Sequence, residues 1–373
     1  MKVLAKALKI GTVAMIVIVL AISCGAAVYA GVMSHICRIR MSYVVDIDAV
    51  LQEEAQINNT ILMIGDGMGV NHIEAAKAYY NLETLTMETL EVEGMMSTFS
   101  KTGVTDSAAA ATAMSTGIKI HNGGISMDGG KELETLGEYA RKQGKSVGII
   151  STEGMNGATP AGFSAHAENR GNADAITEAQ LSSGIDLFMG ANQSYYDTYE
   201  YDIVAAGYDY VTSYDDLNAF SDKIFACFTS VPPQSNTDTA PKLSDLVDFA
   251  IDYLEAKSEY GYFLMIEGAH IDKRSHANDM SGVLAEMKSF DESVATVLDK
   301  VSEDTFIMVT ADHECGDLRY NGEIGADIND SLFHSGSHTG QDVPYFATPQ
   351  VENLPRKIDN TNIASLYRQL IAG

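Results

Sequence analysis

Three short stretches carry acids and histidines at spacings that suit metal chemistry. EGAHIDKRSH contains Glu267, Asp272 and His276, TADHE contains Asp312 and His313, and SGSHTG places His338 among small residues. The four-residue step from Asp272 to His276 puts both side chains on one face if the segment is helical. Imidazole nitrogen together with carboxylate oxygen suits zinc. An oxygen-only set suits magnesium, and Asp66, Glu267 and a threonine can supply one. Ser107 opens the run SAAAATAM, with Asp106 or Ser107 itself near the helix cap. A hydroxyl at a helix start lies beside exposed backbone N–H groups, which suit phosphate. His35, His72, His121, His166, His270 and His334 read as surface or satisfied core residues, with His270 and His334 near enough to the ligands to support them. Cys315, two residues beyond His313, reads as a small buried apolar residue.

These groups need a frame that gathers them, and the chain supplies one. Short apolar runs at 60–64 (TILMI), 146–151 (SVGIIS), 262–266 (YFLMI) and 305–310 (TFIMVT) read as buried strands. Helical patterns begin near Val70 and cover 133–142, 243–257 and 283–301. Repeated alternation of strand and helix implies a three-layer α/β/α fold around a mostly parallel sheet. Asp66, Glu267 and the Asp312-His313 pair each follow a strand, and Ser151-Thr152 closes another. Ligands of open α/β sheets bind outside the carboxyl ends of the strands, so these acids converge on one edge. One such acid is usually a turn or cap residue; three of them, two with nearby histidines, point to a metal site. Residues 192–236, rich in Tyr, Asp, Ser and Asn, read as an irregular surface insertion.

Composition narrows the partners. Of 373 residues 46% are hydrophobic and 20% charged, which excludes disorder for the bulk of the chain. The formal net charge of −27 argues against broad electrostatic binding to nucleic acid or anionic membrane surfaces. An anionic substrate remains compatible with it, because bound metal ions reverse the sign of a pocket. Four cysteines are too few and too scattered for a disulfide scaffold. Lys2, Lys6 and Lys9 precede an uncharged stretch from Ile10 to Cys37, long enough to span a bilayer. Residues 1–40 therefore read as an uncleaved membrane anchor, with a secreted or periplasmic product if a signal is cut after Ala30. Either reading exports the body. Residues 41–58 read as a connector, and 59–373 as the catalytic domain.

GDGMG, TDSAAAATA, ATPAGFSAHAENR, EGAHIDKRSH, TADH and SHTGQDVP occur in this order from about Thr60 to about Ala347. Together they make the chain resemble the alkaline phosphatase family. The resemblance implies a phosphate monoesterase with two zinc ions and one magnesium ion. It makes Ser107 a nucleophile that is transiently phosphorylated, Arg170 a clamp on two phosphate oxygens, and Asp106 the partner that steadies Arg170. By the same resemblance Asp272, His276 and His338 hold the first zinc, and Asp66, Asp312 and His313 hold the second. Thr159 and Glu267 complete the magnesium site with Asp66, and Lys273 approaches phosphate through water. Metal coordination activates a weak serine nucleophile, and a metal pair stabilises both oxygens of an in-line displacement.

Two departures from the family pattern matter. Gly157, two residues before Thr159, stands where several relatives carry an Asp or His that orients magnesium-bound water, so the third metal is expected to bind weakly. The segment between His313 and His338 is short for the family, which implies a reduced surface crown and leaves a homodimer open. The rival enzymes on this fold are a phosphodiesterase and a sulfatase. Arg170 argues against the first, and the absence of CxPxR or SxPxR argues against the second. The rival of another class is a catalytically silent surface protein that keeps its metals for structure. No GxxxxGK[ST], GxGxxG or GxSxG occurs, so nucleotide cradling and a Ser–His–Asp hydrolase are unsupported.

Overall fold

The four apolar runs become adjacent strands at the centre of one sheet. A computed structural model describes residues 47, 49–51, 56–234, 237–320, 322 and 327–373, all within one unit, Val44–Gly373. Its strands, in chain order, are β1 (Asn59–Gly65), β2 (Val92–Ser97), β3 (Met127–Asp128), β4 (Lys131–Glu132), β5 (Ser146–Ser151), β6 (Leu187–Gly190) and β7 (Asp209–Val211). There follow β8 (Ile224–Cys227), β9 (Tyr262–Gly268), β10 (Thr305–Thr310), β11 (Glu314–Cys315), β12 (His338–Thr339), β13 (Val343–Ala347) and β14 (Lys357–Asp359). Ten of them form a sheet in the order β14-β2-β13-β10-β1-β9-β5-β6-β8-β7. Every pairing is parallel except those of β13, which runs against both β10 and β2.

Alternation along β9 shows why the sheet lies between two helical layers. Phe263 meets Phe163 of the Ala158–Ser164 helix and Tyr367 of the Thr361–Ala372 helix. The next residue, Leu264, points the opposite way. There it packs over Gly148, beside Leu254 of the Leu243–Lys257 helix. A side chain on Gly148 would come within 2.9 Å of Leu254 and 3.0 Å of Leu264, so the glycine lets that helix lie close. β1, β5, β9 and β10 are buried throughout, which is why their sequences read as continuous apolar runs.

Residues 192–236 differ from the expectation of an irregular insertion. They contain β7 and β8, the last two strands on one side of the sheet, and buried Tyr196, Ile203, Phe225 and Phe228. Strands of three and four residues are too short to show a period, and the tyrosines that looked like surface decoration stack into the core: Tyr196 and Tyr208 both pack on Phe225. The described part of the connector is also docked. Ile47 is buried, Ala49 N–H donates to Gln369 Oε1 (2.8 Å), and Leu51 bridges to Val351. The 1–40 segment lies outside the described residues; among those described, no helix is long and apolar enough to cross a membrane.

The turn after the Ser107–Thr116 helix is tied to the far end of the chain by a buried ion pair. Lys119 Nζ lies 3.0 Å from Asp359 Oδ1, with both side chains 8% exposed. Asp359 also receives the Ser97 hydroxyl (2.9 Å) and the Thr361 N–H (3.0 Å). Removing one partner leaves a charge buried and unpaired. Lys119→Met is expected to lower unfolding free energy by roughly 3–5 kcal/mol, read by urea denaturation; a loss below ~1 kcal/mol would show that the pair is not buried in solution.

Candidate metal and phosphoryl-transfer site

Adjacent strands β10, β1, β9 and β5 deliver the acids. Ile64 pairs with both Glu267 and Thr310, and Ser151 pairs with Glu267, so the four carboxyl ends are level. Asp66 follows β1, Glu267 lies near the end of β9, and Asp312 and His313 follow β10. The His270–His276 helix begins just beyond β9 and sets Asp272 and His276 on one face, as their spacing predicts. His276 Nε2 lies 3.3 Å from Asp272 Oδ2, and His338 Nε2 lies 3.4 Å from Asp272 Oδ1. His313 Nε2 lies 3.2 Å from Asp312 Oδ2 and 3.6 Å from Asp66 Oδ1.

The histidine tautomers reveal what this cluster lacks. His276 Nδ1 faces the Gly336 carbonyl (2.8 Å), and His338 Nδ1 faces the Thr105 carbonyl (2.9 Å). A carbonyl only accepts, so each Nδ1 carries a proton, and in the neutral ring each Nε2 presents a lone pair. Yet the two Nε2 atoms face one another at 3.1 Å. Two lone pairs at that distance, flanked by a carboxylate, call for a cation between them. Backbone carbonyls that fix the Nδ1 protons are the usual support of imidazole metal ligands.

The carboxylates make the same demand. Ten buried side-chain polar atoms lack a hydrogen-bond partner among the described residues, and six lie here: Asp66 Oδ1, Thr159 Oγ1, Glu267 Oε1, Asp272 Oδ1, Asp312 Oδ2 and His313 Nδ1. Native proteins leave few such groups unpaired, so their concentration at one sheet edge fits bound cations. Ligand atoms of Asp66, Asp272 and His313 lie within 4.8 Å of one another, as do those of Asp272, His276, Cys315 and His338. Burial pushes the Asp66 carboxyl well up, and Asp312, Asp272 and Glu267 push it further. Burial, followed by the Glu153 carboxylate, raises Glu267 to about 8. Burial opposes ionisation of Asp272 too, but His338, His313 and Cys315 outweigh it and hold that carboxyl well below its usual range. For His338 burial lowers the value, and Asp272 more than reverses it.

Ser107 begins its helix at the mouth of this cluster. Asp106 caps it by accepting from Ala109 N–H (2.9 Å), the alanine run favours the helical state, and Gly117 at φ 76° closes it. Ser107 Oγ lies 3.3 Å from His313 Nε2. Asp106 Oδ2 accepts from Gly123 N–H (3.0 Å) and from Arg170 Nη1 (3.2 Å). Arg170 is itself fixed by its N–H to the Gly123 carbonyl (2.7 Å), while its side chain is 40% exposed. The guanidinium is anchored at one nitrogen and reachable from solvent.

Not every expected residue lies where it was expected to act. Lys273 is ion-paired to Glu153, a residue the sequence reading passed over. Glu153 sits in the turn after β5, where no motif marks it. Cys315 is buried as expected, but its thiol lies against the Asp272 carboxylate; burial and that negative charge both raise it. His270 turns away from the ligands toward Glu286 (3.8 Å), and burial lowers it to about 4. His334 is exposed. His121 and His166 are engaged locally, by Thr102 and by Ser126 and Glu138.

Comparisons with known proteins give the family. A family model described as Alkaline phosphatase matches residues 57–195 and 204–328. The chain belongs to the alkaline phosphatase family. It is 35% identical over 300 residues to alkaline phosphatase 4 of Bacillus subtilis, a match covering 73% of this chain and 65% of that relative. The chain thus spans a little under two thirds of that relative's length. Among solved structures, the cold-active alkaline phosphatase of a psychrophilic Shewanella sp. superposes with a TM-score of 0.74 at 28% identity, over 84% of this chain and 99% of that one. A variant of the alkaline phosphatase of the Antarctic bacterium TAB5, with a histidine replaced by glutamate and magnesium bound in its M3 site, gives 0.71 at 26% identity, over 86% and 99%.

His72 supports the site from behind. Its Nδ1 accepts from Gly69 N–H (3.2 Å) and its Nε2 lies 3.0 Å from Ser275 Oγ, which donates to the Ile271 carbonyl. His72 therefore donates to Ser275 and is held neutral. Burial lowers it from 6.5 to about 4. Between these values the unfolded chain binds a proton that the folded one does not, so the contribution is present above 6.5 and is lost as pH falls toward 4. Lowering the pH from 7 to 5 is expected to remove roughly 2 kcal/mol through this group. Urea denaturation of His72→Gln should show a pH slope shallower by that amount; identical slopes would contradict the assignment.

Proposed function

We propose that this protein is a metal-dependent phosphatase that hydrolyses phosphate monoesters through transfer of the phosphoryl group to Ser107. The observation that carries the reading is a buried hydroxyl at a helix N-terminus, 3.3 Å from His313, between a cation-demanding cluster and an anchored arginine. Asp272, His276 and His338 form a donor set for one zinc ion, and Asp66, Asp312 and His313, with His313 Nε2 3.6 Å and 3.2 Å from the two carboxylates, one for a second. Asp66, Thr159 and Glu267, all oxygen donors with unpaired buried atoms, suit magnesium. Bound there, the metals supply charge that lowers the proton affinity of hydroxyl groups and stabilises the entering and leaving oxygens.

The protein's own groups do the rest. Arg170 binds two phosphate oxygens through its planar fork, and Asp106 holds it in place from the far side. Helix N–H groups beside Ser107 favour the dianion. Ser107 Oγ gives up its proton and forms a bond to phosphorus as the ester oxygen departs with its electron pair and takes up a proton. Water then attacks phosphorus, the Ser107 oxygen leaves with its electron pair and regains a proton from that water, and inorganic phosphate is released. Small phosphate monoesters are the substrates of this reading. The basic, apolar N-terminal segment supports an extracytoplasmic site of action, anchored or released, and protease added to intact cells should cut the body.

Turnover of p-nitrophenyl phosphate should fall by roughly three orders of magnitude or more in Ser107→Ala, the scale of losing a nucleophile. Arg170→Ala should lose roughly 10–100-fold in kcat/KM, the scale of a charged hydrogen-bond pair. A faster rate on bis-p-nitrophenyl phosphate than on the monoester would favour a diesterase. Stoichiometric zinc without turnover would favour a silent metal-containing binding protein.

A further inference from the structure

The gap that Gly157 leaves beside the third metal site is filled from elsewhere in the chain. A Cβ built on Gly157 would lie 1.9 Å from Glu153 Oε1 and 2.4 Å from Glu153 Cδ. The Glu153 carboxylate thus lies across the face of Gly157, in the space where a side chain at 157 would start. Gly157 has φ −58° and ψ 157°, which any residue adopts, so its backbone does not require glycine. The space above it does.

Three contacts place that carboxylate deliberately. Glu153 N–H donates to Ser151 Oγ (3.0 Å), and the same hydroxyl donates to Glu267 Oε2. The Glu153 carbonyl accepts from Ala191 N–H (2.9 Å), fixing the turn. Glu153 Oε2 pairs with Lys273 Nζ, while Oε1 turns over Gly157 at the start of the helix that carries Thr159. The carboxylate is close enough to act electrostatically on both Glu267 and Asp66. Three acids that act on one another, against one lysine, leave a surplus of negative charge that a divalent cation offsets.

We propose that Glu153 is the positioning carboxylate of the magnesium site: it accepts hydrogen bonds from the water bound to an ion held by Asp66, Thr159 and Glu267, and it requires glycine at 157. This rests on the metal-site reading given above. Glu153 Oε2 is taken by Lys273 and Oε1 lies over Gly157, so Glu153 acts through water and not as a shared ligand. Magnesium keeps several of its waters in protein sites, which gives such a carboxylate its partners. Lys273 is then an element of the metal site, holding Glu153 over Gly157.

The test is magnesium binding by isothermal titration calorimetry to the zinc-loaded full chain, with zinc counted by elemental analysis. Glu153→Ala should weaken magnesium binding about 10–100-fold, the usual cost of losing an outer partner, with zinc content unchanged. Gly157→Ala keeps the Glu153 charge but evicts the carboxylate, and should weaken magnesium to a similar degree. Combining Glu153→Ala with Gly157→Asp should recover most of the affinity, because the new carboxylate enters space the old one vacated. Magnesium affinity within twofold of wild type in both single variants would overturn the role of Glu153. Wild-type protein that takes up zinc but no magnesium would instead overturn the magnesium site itself, and the role of Glu153 with it.

Discussion

Two imidazole lone pairs cannot rest 3.1 Å apart beside a carboxylate without a positive charge among them. His276 and His338 are held in that posture by carbonyls of Gly336 and Thr105, which fix their Nδ1 protons. The rest of the site is organised around this requirement. Parallel strands at the sheet centre are the means of meeting it, because their level carboxyl ends bring acids from distant parts of the chain to one edge. In the proposed reading bound cations offset the cost of burying those acids, so the fold and the chemistry share one electrostatic constraint. It also reconciles a chain charge of −27 with the proposed anionic substrate.

In the proposed reading Asp106 links the metal-ligand cluster to the substrate. One carboxylate oxygen caps the Ser107 helix and the other holds Gly123 and Arg170. Ser107 and Arg170, the proposed nucleophile and phosphate clamp, are therefore set by a single side chain. A distortion at either end is transmitted to the other, and placement of this kind supplies much of what a phosphoryl-transfer site needs.

Much of this was legible in the sequence, for a physical reason. The strands β1, β5, β9 and β10 are buried on both faces, so they read as apolar runs, and the acids follow them directly. The four-residue step from Asp272 to His276 carried its own geometry. What stayed hidden depends on how the chain folds back. Glu153 gains its place only when the turn after β5 brings it over Gly157, and a glycine in a motif signals missing atoms, not their replacement. Cys315 reads as apolar until β11 pairs with β12 and sets its thiol beside Asp272. The outer strands β7 and β8 are too short to announce themselves, and their tyrosines suit either surface or core.

The central claim is that phosphate passes through Ser107, and the most direct measurement is to stop turnover in acid and locate the phosphoryl group by peptide mass spectrometry. The account predicts one phosphoryl group, on the peptide containing Ser107, formed by the zinc-loaded protein and absent after chelation. Steady hydrolysis with no phosphoryl-enzyme, or with the group on another residue, would contradict it.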